Sequence, residues 1–363
     1  MPVINEYEQL KRLVTQKGLL NKYPRAYTCK LLVVWTLLGL GLILLALTRN
    51  LFVIMLDAAF LAVVSGQIGF IGHDAGHQQI FKAGWKNQIT SFIHGNLLLG
   101  ISSAWWIRSH NLHHKWPNRV NLDPAVDFPV LAFSEEQARA KQGLRRFMVN
   151  YQAYIFFPLL CLTLVGIRID SIKFLLQKKA KHPLIEALLL TAHFTLYFGL
   201  LFFCLGLPRM LLFAVIHQAL FGLYMGSTFA PNHKGMPVLG SEDTKDFLRC
   251  QVLTARNVSG HRLLDLWYGG LNHQIEHHLF PSMPRNRLRE AQKIVKEFCH
   301  AHSIPYYEAG FFQSYREILK HLYGVSASSR EESSCEHGFS NSEEEFDESI
   351  RSSRGPEIFE THR

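Results

Sequence analysis

The sequence predicts an all-α integral membrane protein with four transmembrane helices, interfacial or re-entrant segments between them, and a cytoplasmic helical cap. Three observations carry this. Four apolar stretches are each long enough to cross a bilayer as a helix, at about 20 residues for about 30 Å. Basic residues collect at ends that would then share one compartment. Histidines recur at helical spacing near those same ends.

The first two spans are Leu31–Leu47 and Leu51–Ile71, separated by "TRN". Lys11, Arg12, Lys17, Lys22, Arg25 and Lys30 precede them, so the N-terminal side is expected in the cytoplasm. The stretch 89–106 is apolar but broken by Gly, Asn and Ser, and is expected to lie in the interface with Trp105 and Trp106 as anchors. Three further apolar blocks follow, at about 147–167, 184–207 and 208–230. If all three spanned, the last histidines would face the opposite side from the first. The basic stretch 168–182 ("RIDSIKFLLQKKAKH") is expected on the cytoplasmic side, and Pro158 splits the 147–167 block, which is therefore expected to be re-entrant or interfacial. Blocks 184–207 and 208–230 then form a hairpin turning at "LPR", and four spans result.

Composition agrees with this class. Hydrophobic residues make up 48% of 363 residues, in blocks rather than evenly spread. Net charge is +9, but residues 325–363 hold four Arg against ten Asp and Glu, a net −6 that leaves +15 for the rest. A basic body fits anionic head groups, an acyl carrier with phosphates, or an acidic redox protein; the ordinary basic excess of cytoplasmic loops explains it equally well. No nucleic-acid partner is expected. The six cysteines form no C-x-x-C pair, which excludes a disulfide framework or a thiolate zinc site. The first 30 residues lack a secretory signal pattern. Residues 1–30 read as a cytoplasmic N-terminal segment, 31–324 as the membrane domain, and 325–363, rich in Ser and Glu, as a disordered acidic tail.

Four histidine-bearing stretches face one compartment in this topology: "HDAGH" (His73, His77), "HNLHH" (His110, His113, His114), "NH" (Asn232, His233) and "QIEHH" (Gln274, His277, His278). Positions i and i+4, or i, i+3 and i+4, share one helix face. Each cluster is thus an edge of ligands, and together they exceed the four ligands of one zinc ion, which favours two ions. Imidazole suits Fe, Zn, Cu and Ni alike, so ligand type alone leaves the metal open. Asp74, Asp123, Asp127, Asp265 and Glu276 stand near the clusters as acceptors for ligand N–H groups or as solvated acids.

The ordered set HDAGH, HNLHH and QIEHH, with "NLDPAVDFP" and "HHLFPSMPR" beside it, closely resembles the membrane fatty acid desaturase family over roughly residues 31–322. The resemblance implies a di-iron centre on His73, His77, His110, His113, His114, His277 and His278, with His233 as the extra histidine after the last span. Gln274, where the third box usually opens with His, resembles the front-end branch and implies a weak ligand or a group just outside the ligands. His273 lies outside the box and is expected to be supporting or structural. The implied reaction is O2-dependent insertion of a cis double bond into a fatty acyl chain carried on coenzyme A, a carrier protein or a lipid. An apolar tunnel is implied, with Trp105, Trp106, Phe229 and Trp267 as candidate walls. Front-end relatives commonly carry a fused haem motif, HPGG, that does not occur in these residues. Electrons are therefore expected from a ferredoxin with its reductase or from free cytochrome b5. The resemblance is strongest to bacterial acyl desaturases, implying a plasma-membrane enzyme with its site on the cytoplasmic face.

Related hydroxylases share the three boxes, so an acyl hydroxylase is the alternative within this chemistry. A bis-histidine haem carrier is the non-enzymatic one. His193 and His217 fall inside spans and are expected to be buried and hydrogen-bonded across helices. His94, His182, His261, His300, His302 and His321 lack ligand spacing.

Overall fold

The computed structural model describes residues 5–240, 246–327 and 329–330. Helix α1 (Glu6–Gln16) is followed by two long apolar helices, α2 (Pro24–Leu47) and α3 (Leu51–Gly76). Pro24 opens α2 at a position where its missing N–H costs nothing, and the Asn50 side chain caps α3 by accepting from the Phe52 and Val53 amides. A second long pair, α10 (Pro183–Leu205) and α11 (Leu207–His233), turns at Gly206, whose φ of +70° suits glycine. These four helices are long and apolar enough to cross a membrane, as the sequence predicts. The pair α3 and α11 forms the centre, about half buried along their apolar windows, whereas α2 and α10 are largely exposed there.

Between the pairs come α4 (Gly84–Ser91), a π-helix over Phe92–Leu98, α5 (Ser103–Lys115), α6 (Glu135–Arg139), α7 (Gly143–Asn150), α8 (Gln152–Leu160) and α9 (Thr163–Leu176). Helices α8 and α9 form an apolar pair bent by 68°, a broken span or a re-entrant loop, where the sequence placed a re-entrant block split by Pro158. The elbow sits on α11 at Gly222: a Cβ there would lie 2.6 Å from the Cys161 carbonyl oxygen. Residues 168–176, in the basic stretch expected on the cytoplasmic side, continue α9. Arg168 turns inward and donates to the Leu99 carbonyl and to Gln218 Oε1. The π-helix packs between α3 and α10 with His94 and Asn96 buried. His94 Nδ1 donates to the Thr90 carbonyl and its Nε2 accepts from Trp35. As expected, His193 and His217 are buried and bonded across helices, His193 to the Leu97 carbonyl and His217 to Ser65 and Tyr197.

After α11 come α12 (Phe247–Leu253), β1 (Asn257–Ser259), α13 (Arg262–Trp267), α14 (Gln274–Leu279), a 3₁₀ turn over Arg285–Arg287, α15 (Leu288–Ala301), β2 (Glu308–Gly310) and α16 (Phe311–Val325). The two strands pair in parallel, Asn257 with Glu308 and Ser259 with Gly310. Leu10 and Val14 of α1 join Leu248, Ile275, Leu279, Leu288 and Val295 in one buried cluster, so the cap encloses α14 in apolar side chains. Of the acidic tail, residues beyond Arg330 lie outside the described ones.

Candidate metal centre

Four elements deliver histidines to one place. His73 lies in the last turn of α3 and His77 caps it; α5 carries His110, His113 and His114; His233 ends α11; His277 and His278 lie on α14. His73, His77, His110 and His277 each offer a ring nitrogen, all within 4.8 Å of one another, and His113, His233 and His278 do the same. His114 stands between the two groups, its Nε2 3.1 Å from His110 Nε2 and its ring 4.2 Å from that of His278. All eight candidate histidines therefore meet, although 205 positions separate His73 from His278 in the chain.

The second group fits a cation by the disposition of its protons. His113 Nδ1 lies 2.9 Å from Asp123 Oδ2, His233 Nδ1 2.9 Å from the Thr254 carbonyl, and His278 Nδ1 2.8 Å from Gln251 Oε1. Gln251 donates its amide to the His114 carbonyl, which turns its oxygen toward His278. Each imidazole thus donates from Nδ1 to an acceptor and presents a lone pair at Nε2. Those lone pairs face each other, at 3.2 Å for His113 and His233 and 3.1 Å for His233 and His278. Three acceptors converge, an arrangement that could hold a metal ion between them.

The first group points the same way. His73 Nε2, His77 Nε2 and both ring nitrogens of His277 are buried without a hydrogen-bond partner. A buried unpaired polar atom costs about 1–3 kcal/mol, which a bound ion relieves. Burial, followed by neighbouring imidazoles, holds His77, His110, His114, His277 and His278 well below the usual histidine range. They are neutral near pH 7, the form that ligates metal. The donors are all nitrogen, and no cysteine joins either group.

Around the histidines the acidic candidates separate. Asp123 bonds His113 and accepts from the Asn118 and Ala125 amides. Asp74 contacts His73 at 3.3 Å and pairs with Arg285. Glu276 turns away from the ligands, accepting from Asn257 and Tyr306 at 2.7 Å each, and its burial raises its pKa. Asp265 accepts from His273, Asn272 and Arg289, so His273 belongs to a network beside the centre. Asp127 is exposed. Gln274 keeps its carbonyl against Asn232 and turns its amide nitrogen to His233 Nε2 at 3.0 Å.

Gln251, Thr254 and Arg285 escaped the sequence reading. Thr254 acts through its backbone, which carries no residue signature; Arg285 lies in "SMPR", four residues past the "HHLFP" turn.

An apolar cavity opens on His73. Gly69 and Gly72 of α3, Leu99 and Ile101 after the π-helix, Trp106 of α5, Leu164 and Ile167 of α9, and Phe221, Met225 and Phe229 of α11 line it. Of the tunnel candidates, Trp106 and Phe229 are in this wall; Trp106 also lies 4.5 Å from the His110 ring and 5.2 Å from that of His73. Trp105 is half-buried in the first turn of α5, and Trp267 is packed on Tyr224; neither lines the cavity.

Comparison with known proteins agrees with this geometry. The profile of the fatty acid desaturase family matches residues 48–310. An acyl-lipid (9-3)-desaturase of Physcomitrium patens is 27% identical over 342 residues, covering 91% of this chain and 64% of its own length. A delta(8)-fatty-acid desaturase of Helianthus annuus is 28% identical over 343 residues, covering 91% of this chain and 75% of its own. A delta(6)-fatty-acid desaturase of Caenorhabditis elegans is 27% identical over 339 residues, with 89% and 75% covered. This chain therefore spans under two thirds of the moss protein's length. With the profile matched over most of the chain and an apolar cavity leading to clustered histidines between membrane helices, the chain belongs to the fatty acid desaturase family, a family of membrane oxidoreductases.

Proposed function

We propose that the protein inserts a cis double bond into a fatty acyl chain in an O2-dependent reaction at a pair of iron ions. His73, His77, His110 and His277 would hold one ion and His113, His233 and His278 the other, with His114 between them. The observation that carries this reading is the convergence of three Nε2 lone pairs whose Nδ1 protons are already committed. Bound iron would supply the reductive activation of O2 that removes hydrogen from an unactivated methylene.

The chain's own residues would do the rest. Asp123, Gln251 and the Thr254 carbonyl hold ring orientation and tautomer. Trp106 and Phe229 would confine the acyl chain beside His73, and the apolar wall would exclude water. Electrons would arrive from a separate ferredoxin or cytochrome b5, for which the basic balance of the body is suited. We place the site on the cytoplasmic side, following the basic residues ahead of α2, and in a plasma membrane. The acyl-lipid and delta-series names of the relatives, together with Gln274, support a front-end reaction on lipid-linked chains.

Expression in a host of defined lipid composition, with mass spectrometry of double-bond positions and iron analysis of the purified protein, tests the proposal. New cis alkenes with two irons per chain are expected. A hydroxylated product, or a haem Soret band in place of iron, overturns it.

A further inference from the structure

We infer that α13, although it follows the last span and belongs to the cap, is immersed in the bilayer on the histidine side and anchors the cap there. This goes beyond the proposed reaction and does not depend on it. Its partner is the lipid itself: acyl chains against Leu263, Leu266 and Trp267, and head-group phosphates near Arg262.

The depth of α13 follows from what it touches. The far polar edge of the bundle is marked where Arg49 donates to the Cys204 carbonyl and Arg209 donates to the Arg49 carbonyl. Counting from Leu51 and Leu207, about 20 residues cross the ~30 Å hydrocarbon core, which ends near Ile71 on α3 and near Ser227 on α11. Gln67 donates to the Leu266 carbonyl at 3.1 Å, and the Tyr224 hydroxyl donates to the Trp267 carbonyl at 2.6 Å. Both contacts lie about 5 Å inside that boundary at 1.5 Å per residue. This is the depth at which interfacial helices seat their apolar face.

The exposed face has the right chemistry. Leu263, Leu266 and Trp267 stand at i, i+3 and i+4 on one face, exposed by 70%, 63% and 41%. No residue of α13 is buried. Asp265 points the other way, into the cap, where it holds Arg289, Asn272 and His273. Beside it, Tyr315 donates to the Ser227 carbonyl, and Phe312 of the same helix is 85% exposed. The attachment of α13 through Asp265 and Asn272 would tie the height of "QIEHH" to the membrane surface.

The test reconstitutes the full chain in phosphatidylcholine vesicles and compares it with Trp267→Phe. Subtracting the two emission spectra isolates Trp267. Lipids brominated at shallow acyl carbons should quench that component, and aqueous iodide should leave it; the reverse pattern overturns the inference. If Trp267→Phe does not fold, a nitroxide at position 263 (Leu263→Cys, with accessible native cysteines changed to serine) reads the same depth. Relaxation by dissolved O2 should then exceed relaxation by an aqueous nickel chelate, and the opposite order overturns the inference. Neither readout needs turnover, so an inactive protein that passes leaves α13 in the bilayer and removes only the proposed reaction.

Discussion

His113 and His233 face each other with their Nε2 atoms 3.2 Å apart, each having donated its Nδ1 proton elsewhere, to Asp123 and to the Thr254 carbonyl. With both Nδ1 atoms committed, the two Nε2 atoms and that of His278 are left turned toward one another, an arrangement that suits a shared cation. Stripping metal from the purified protein should abolish desaturation and lower its unfolding temperature, and iron should restore both. A ligand present at about 100 times its Kd stabilises by about 2.7 kcal/mol, so the shift should be plain in a thermal scan. An unchanged unfolding temperature would count against a bound ion.

Asp123 holds more than one group in place, because it also accepts from two backbone amides. Asp123→Asn keeps the shape but removes the charge and puts a donor beside His113. The expected cost is about 10- to 100-fold in metal affinity or activity, as for other partners that orient metal-bound histidines. Iron content against free iron concentration, measured alongside turnover, separates the two effects.

The depressed histidines set a pH dependence in the metal-free protein. His77, His110, His114, His277 and His278 stay neutral in the fold, while in the unfolded chain they titrate near 6.5. As pH falls through 6.5 the unfolded state takes up protons that the folded state refuses, so stability falls with it and continues to fall below. Unfolding of the stripped protein in detergent between pH 8 and 5 should show this loss. Stability flat or rising toward pH 5 would contradict it.

Gly69 borders the cavity, and a Cβ there would meet Leu99 and Met225 in ordinary contact at 3.5 Å. Gly69→Ala should therefore fold with little change, whereas Gly69→Val narrows the apolar passage. Long acyl chains should lose turnover more than short ones, about tenfold for a misfit worth 1.4 kcal/mol. Competition between acyl chains of two lengths in one assay, read by mass spectrometry, gives the ratio directly.

The long spans and the histidine clusters were legible because each rests on local spacing. Leu51–Ile71 announces itself by length, and His110, His113 and His114 by helical period. The π-helix at Phe92–Leu98 was not legible. Its stability comes from distant partners: Glu186 accepts from Asn96 and Ser102, and Arg168 and His193 donate to the carbonyls of Leu99 and Leu97. Arg168 counted in the sequence only as one of the charges marking the cytoplasmic side, and here its guanidinium is spent on the Leu99 carbonyl and Gln218 Oε1. Trp106 suggested an interface anchor, but it lies against the histidine rings because α5 carries both.

The elbow between α8 and α9 rests on a site with no side chain. At Gly222 only a hydrogen separates α11 from the Cys161 carbonyl, and at Gly226 a Cβ would stand 2.9 Å from Leu160. Leu164 and Ile167, just past that elbow, form one flank of the apolar cavity that opens on His73. A single methyl at position 222 would therefore lever that flank outward from a point remote from the histidines. The bore of the passage is in this sense fixed by two missing carbons on a neighbouring helix.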